Sequence, residues 1–192
     1  MIFLRRHWYD LGIGGVIFII FYLLKNHLSN YEMVMWVSLA TLLLHQFEEY
    51  RYPGTFLFMI NSVIFKSENP DRYPLNTKTA FFINVIEGWS LYLFAAIFAE
   101  RAVWLGIATI VISFGNIIAH TFLFNIKGKT FYNAGMVTCW LFFVPCVSYF
   151  FYIVFSEHIG SKSDFIVGIL LGVVLNYFGI FKMISWMSDK EN

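Results

Sequence analysis

Apolar residues fill six long stretches of the chain, separated by short breaks rich in charged residues, Gly, Pro and Asn. The stretches cover residues 8–24, 31–49, 77–99, 102–125, 131–155 and 165–187. A helix needs about 20 mostly apolar residues, with a range of roughly 17–25, to cross the hydrocarbon core of a bilayer. The pattern therefore predicts an all-α, polytopic membrane bundle of about six transmembrane helices. Between the second and third stretches lies "PGTFLFMINSVIFKSENPDRYPLN", residues 53–76, whose apolar part is only about a dozen residues. That length predicts a short interfacial or re-entrant helix, followed by a loop at Asn69-Pro70 and Tyr73-Pro74.

Composition agrees with this assignment. Of 192 residues, 59% are hydrophobic, 21% aromatic and 13% charged, against about 25% charged in a soluble domain. Too few polar side chains remain to build a water-facing shell, and the length fits a single domain spanning residues 1–192. The net charge of +1 leaves no basic footprint for nucleic acid, and no nucleotide-cofactor motif is present. The start, "MIFLRRHWYDLGIGGVIFIIFYLL", has a basic flank but no small-x-small cleavage site after its apolar run, so it is expected to be a retained first helix. Cys139 and Cys146 lie seven residues apart, about 10 Å along a helix. That is too far for a disulfide, and both are expected to be buried structural thiols.

Basic residues orient the bundle. With six spans, both termini and the second and fourth loops share one side. That side holds Arg5, Arg6, Arg51, Lys66, Arg72, Lys78, Lys127, Lys129, Lys182 and Lys190, ten in all, against Lys25, Arg101 and Lys162 on the other. Discounting Lys182, inside the last stretch, leaves nine against three. Both termini are expected to be cytoplasmic.

The remaining polar residues then fall at one depth. His45, Glu48 and Glu49 sit at the cytoplasmic end of the second stretch, where i, i+3 and i+4 share a helical face. Asn84 lies in the cytoplasmic half of the third stretch and Glu87 near its middle. Asn116 and His120, an i, i+4 pair, lie in the inner half of the fourth, and Asn133 lies at the inner end of the fifth. Ionisable groups at membrane depth are costly and mark functional sites. Three carboxylates and two histidines at similar depth need partners, and a divalent cation bound by oxygen and imidazole ligands would neutralise them. His45, Glu48, Glu49, Glu87 and His120 are the candidate metal ligands. Glu48 and Glu87 are candidate catalytic groups, and Arg51, Asn84, Asn116 and Asn133 are candidate supporting or substrate-binding groups. Zinc, or a pair of irons or manganeses, fits such a donor set. Arg51 with Pro53-Gly54 reads as a helix stop.

The same residues carry a family resemblance. "HQFEE" (His45 to Glu49) followed by "RYPG" (Arg51 to Gly54) resembles the HXXEE-domain family of bacterial integral membrane proteins. "NIIAH" (Asn116 to His120) is similar to a further Asn/His element of that family, and "YNAG" (Tyr132 to Gly135) to its Y-N-P-G turn, with Ala134 in place of the usual proline. The resemblance covers roughly residues 39–138. It implies a bacterial cytoplasmic (inner) membrane protein of similar size but no reaction, since the family is of unknown function.

Two classes of function follow from the residues. In the first, a metal held by His45, His120 and glutamates activates water or oxygen against a lipid or amphiphilic substrate arriving from the cytoplasmic side, with Glu48 as general base. Zinc implies hydrolysis and a metal pair implies oxidation; the absence of a redox motif favours hydrolysis. In the second, the same groups carry protons or a transported cation. Six spans in 192 residues leave little room for alternating access unless the chain forms a homodimer. A third, structural alternative uses the polar residues only as glue between helices.

Overall fold

The computed structural model describes residues 2–188, which form helices and turns with no strand among them. Seven helices follow one another: α1 (Ile2–Lys25), α2 (Asn30–Tyr50), α3 (56–64), α4 (77–98), α5 (103–128), α6 (Met136–Ser156) and α7 (Lys162–Trp186). Four helical stretches, Phe3–Lys25, Thr77–Gly128, Met136–Ser156 and Lys162–Trp186, are long and apolar enough to cross a membrane, which points to a membrane protein. α2 is not among them, because His45, Gln46, Glu48 and Glu49 lower the hydropathy of its C-terminal end. The apolar surface is turned outward as a lipid environment requires: Phe21 and Leu24 of α1 and Ile166 and Leu170 of α7 are all exposed.

Thr77–Gly128 counts as 52 continuous helical residues, yet it is a hairpin. Ala99 has φ +41° and Ala102 leaves helical geometry altogether, with φ −142° and ψ 57°. The hydroxyl of Tyr92 on α4 donates to the carbonyl of Thr109 on α5 at 2.9 Å and pairs with Ser113 Oγ at 2.8 Å. In a straight helix the 17 positions from Tyr92 to Thr109 would span about 25 Å. The sequence break at residues 100–101 marks the reversal.

The helix ends gather at two poles. At one pole Ser29, before α2, contacts Glu100 in the hairpin turn, and Asn30 Nδ2 donates to Glu157 Oε1 at the end of α6 at 2.6 Å. At the other, Arg51 after α2 meets Asp10 of α1, and Thr79 of α4 donates to the Met187 carbonyl beyond α7. Ser29 caps α2 reciprocally with Glu32, and Ser161 does the same for α7 with Asp164. Between the poles lie stacked apolar layers, one around Tyr31, Ile110 and Phe150, the next around Leu39, Tyr92 and Phe143, and the last around Ile60, Leu75 and Ile184. α3 closes the last layer. Gly54, at φ +72°, turns the chain back, so that Phe56 packs under the bundle and stacks on His120 at 5.6 Å. Asn61, fully buried, holds the following loop by donating to the Pro70 and Leu75 carbonyls and accepting from the Leu75 amide.

Candidate metal centre

The second pole holds a cluster that four segments assemble. α2 ends there, α5 reaches it through a π turn over 119–123, the turn of residues 129–135 crosses it, and α6 begins on it. π turns interrupt helices often at functional sites. The one in α5 carries His120, which reaches Glu49, while Asn116, before the π turn, lines the neighbouring cavity.

Three buried side chains meet at one point. His45 Nε2 lies 3.5 Å and His120 Nε2 3.3 Å from the same oxygen, Glu49 Oε1. The two imidazoles are nearly perpendicular, with centroids 4.8 Å apart. Both Nε2 atoms are buried without a hydrogen-bond partner among the described residues. Each ring is held by its other nitrogen: His45 Nδ1 is 2.9 Å from Thr138 Oγ1, and His120 Nδ1 is 2.6 Å from Asn133 Oδ1. Asn133 also donates its amide to the His120 carbonyl at 2.7 Å and to Asn125 Oδ1 at 2.8 Å. Those two acceptors orient the amide, so His120 Nδ1 must donate to Asn133 Oδ1, and a neutral His120 carries its free lone pair on Nε2.

Cys139, on the first turns of α6, lies with its Sγ 3.8 Å from His45 Nδ1. His45, His120 and Cys139 offer ligand atoms within 4.8 Å of one another, all buried, and this group can hold a metal ion. Both cysteines are buried and unpaired, in line with the sequence, but Cys139 belongs to the site's surroundings and is not merely packing. Spacing alone did not reveal this, because Cys139 meets His45 only through tertiary structure.

The other candidate residues separate. Glu48 turns away from the imidazoles to the start of α6, where Oε1 accepts from Tyr132 O–H (3.1 Å) and Val137 N–H (3.2 Å) and Oε2 from Thr138 N–H (2.7 Å) and O–H (2.6 Å). Partial burial and the Glu48 charge push the Tyr132 hydroxyl up to about 12, so it remains a donor at neutral pH. Arg51 lies apart from the cluster, bonded to Asp10 at 3.1 Å and largely exposed. Glu49, Glu87, Asn84 and Asn116 line a cavity of about 80 Å³ whose wall is mostly aliphatic, including Leu42, Ile83, Leu91 and Ile112. Glu87 has no hydrogen-bond or ion-pair partner among the described residues and presses on α7 where only Gly179 leaves room for it. Asn84 is tied to Gln46, which accepts from Trp89 Nε1 at 2.6 Å and donates to Asn84 Oδ1 at 3.0 Å.

Several of these contributors escaped the sequence reading. Gln46 and Thr138 are uncharged within apolar runs and give no signal by themselves. Gly135, read as part of a turn, has φ +103°, and a Cβ there would stand 2.7 Å from His120 Nδ1 and 2.7 Å from His45 Cε1. The predicted fifth stretch also began too early, since Gly135 and the left-handed Lys129 bound a turn before α6 begins at Met136.

No curated protein and no solved structure matches the chain. His45, Glu48 and Glu49 are the H, E and E of the sequence "HQFEE", and residues 36–150, more than half of the chain, match the family described as "Protein of unknown function with HXXEE motif", to which this chain therefore belongs.

Proposed function

We propose that the protein is a membrane-embedded metalloprotein in which His45, His120 and Glu49 bind one divalent cation, and that this centre hydrolyses an amphiphilic substrate. The observation that carries the reading is the pair of buried Nε2 atoms, neither of them in a hydrogen bond, that face one carboxylate oxygen at ion-pair distances of 3.3 and 3.5 Å. Buried polar atoms without partners are rare and call for a ligand. Two ligand atoms each about 2.0–2.1 Å from a tetrahedral zinc are themselves about 3.3 Å apart, close to the spacing here. Two imidazoles and a carboxylate also suit zinc with one position left open. Glu49 is preferred to Cys139 as the third ligand because its oxygen faces both Nε2 atoms, whereas Cys139 approaches the Nδ1 edge of His45.

Bound there, zinc would supply an acidified water as a nucleophile at neutral pH. The chain's own residues then have distinct parts. His45, His120 and Glu49 hold the ion. Glu87, lining the same cavity as His45 and Glu49 and lacking a partner among the described residues, would hold the proton that a nucleophilic water gives up. The aliphatic wall receives the apolar part of the substrate, and Asn84 and Asn116 face the cavity as polar groups. Glu48 is not the base, because its four acceptor positions are taken.

In the membrane, the proposal places six spans, with α2 crossing in the shelter of its neighbours and the site at the cytoplasmic pole that carries most of the basic residues. Protein purified without added metal should contain about one tightly held divalent ion per chain, and His120→Ala and Glu49→Ala should abolish it. A metal-free parent protein, or an ion lost in a simple wash, would overturn the hydrolytic centre and favour a proton or cation pathway.

A further inference from the structure

The first glutamate of the motif, Glu48, has a purpose that neither ligation nor base catalysis describes. Its carboxylate sits at the start of α6, where the helix N-terminus presents backbone donors and favours negative charge. Two of its four hydrogen bonds come from a single residue, the backbone N–H and the hydroxyl of Thr138. That hydroxyl has three neighbours: Glu48 Oε2 at 2.6 Å, His45 Nδ1 at 2.9 Å and the Gly135 carbonyl at 3.1 Å. It owns one proton. The shortest contact is to a carboxylate, and hydrogen bonds to charged acceptors are about twice as strong as neutral ones. The proton therefore points at Glu48, and the oxygen offers His45 only a lone pair.

We infer that Glu48, acting through the Thr138 hydroxyl, is the positioning residue that fixes His45 as its Nδ1–H tautomer and leaves the Nε2 lone pair facing Glu49. Without the carboxylate, the Thr138 hydroxyl is free to rotate and donate to His45 Nδ1. The ring proton then moves to Nε2, into the space between His45 and Glu49. Asn133 performs the equivalent task for His120, so both rings are set from the same short turn and helix start. This inference rests on the metal reading for its purpose, and in metal-free protein the Glu48–Thr138 contact biases the tautomer against the pull of the Glu49 carboxylate, 3.5 Å from Nε2.

Two measurements keep the inference and the metal reading apart. Nitrogen-15 NMR of selectively labelled histidine, recorded on chelator-treated protein at alkaline pH, reports the tautomer directly. The parent and Thr138→Ser should show a larger population of His45 protonated on Nδ1 than the two variants that break the contact. Thr138→Val and Glu48→Gln should shift population to the Nε2–H form. Zinc titration should give about 10- to 100-fold weaker binding in Thr138→Val, restored in Thr138→Ser. A tautomer ratio that is the same in the parent, Thr138→Val and Glu48→Gln overturns the inference whatever the metal content. A parent that shows the Nδ1–H tautomer but binds no metal overturns only the proposed centre.

Discussion

Glu48 and Glu49 are neighbours on α2, about 100° apart around the helix, and that single step sends them to unrelated partners. Glu49 turns toward two imidazoles, and Glu48 reaches across to the first turn of α6. In a sequence the two carboxylates look equivalent, and His45 relates to each by an ordinary helical spacing. The same scale separates Glu49 from Cys139 as the proposed third ligand. Cys139→Ser should keep about one ion per chain by elemental analysis, whereas Glu49→Gln should lose most of it; the reverse pattern would assign the thiolate. Gly135 is the other residue-scale test. A methyl group at this positive-φ position would strike both rings, and overpacking of this kind costs about 1–3 kcal/mol. Gly135→Ala should lower the unfolding temperature and the metal content together. Gly54→Ala, equally strained at φ +72° but packed only on the Tyr50 and Arg51 backbone, should lower the first and spare the second.

At the scale of elements, the apolar pattern located the helices well. The predicted stretches 77–99 and 102–125 correspond to α4 and α5, and the gap between them to the turn at Ala99–Ala102. The short segment after Pro53-Gly54 is a helix over 56–64, as its length implied. Periodicity failed where helices change their winding. π turns over 82–89, 119–123 and 139–143 carry Glu87, His120 and Cys139, and an assumed 100° step misplaces side chains beyond each of them. The α4–α5 hairpin rests partly on the Tyr92 hydroxyl, and an interhelical hydrogen bond of this kind contributes about 0.5–1.5 kcal/mol. Tyr92→Phe should destabilise the protein by that order in detergent unfolding. Tyr149→Phe, with no hydrogen bond among the described residues and a side chain 39% exposed, should leave stability unchanged.

For the whole molecule, the two poles predict an accessibility pattern. Cys139 and Cys146 are buried and unpaired, so a membrane-impermeant maleimide should leave the parent chain unlabelled in intact cells. His27→Cys and Lys127→Cys place exposed thiols at opposite poles. With the site pole cytoplasmic, His27→Cys should label directly and Lys127→Cys only after permeabilisation; the opposite order would invert the orientation. Metal removal should act on the entire bundle, because the proposed ion would link α2 to α5 while Thr138 ties α2 to α6. A ligand at 100 times its dissociation constant stabilises the folded state by about 2.7 kcal/mol. Chelation should therefore lower the unfolding temperature of the parent and have little effect on His120→Ala.

The sequence by itself determined the helical class, the apolar surface and the place of each polar residue along its helix, because these follow from local periodicity and from the run of apolar residues. It also carried the motif that identifies the family. Only the tertiary structure decided which of the candidate groups meet: that Glu49 joins His45 and His120, that Glu48 serves α6, that Glu87 faces a cavity, and that Thr138 and Cys139 border the site. Position along a helix is a property of that helix alone, whereas a meeting of side chains depends on the rotation and winding of several helices at once, and those are fixed by packing between them.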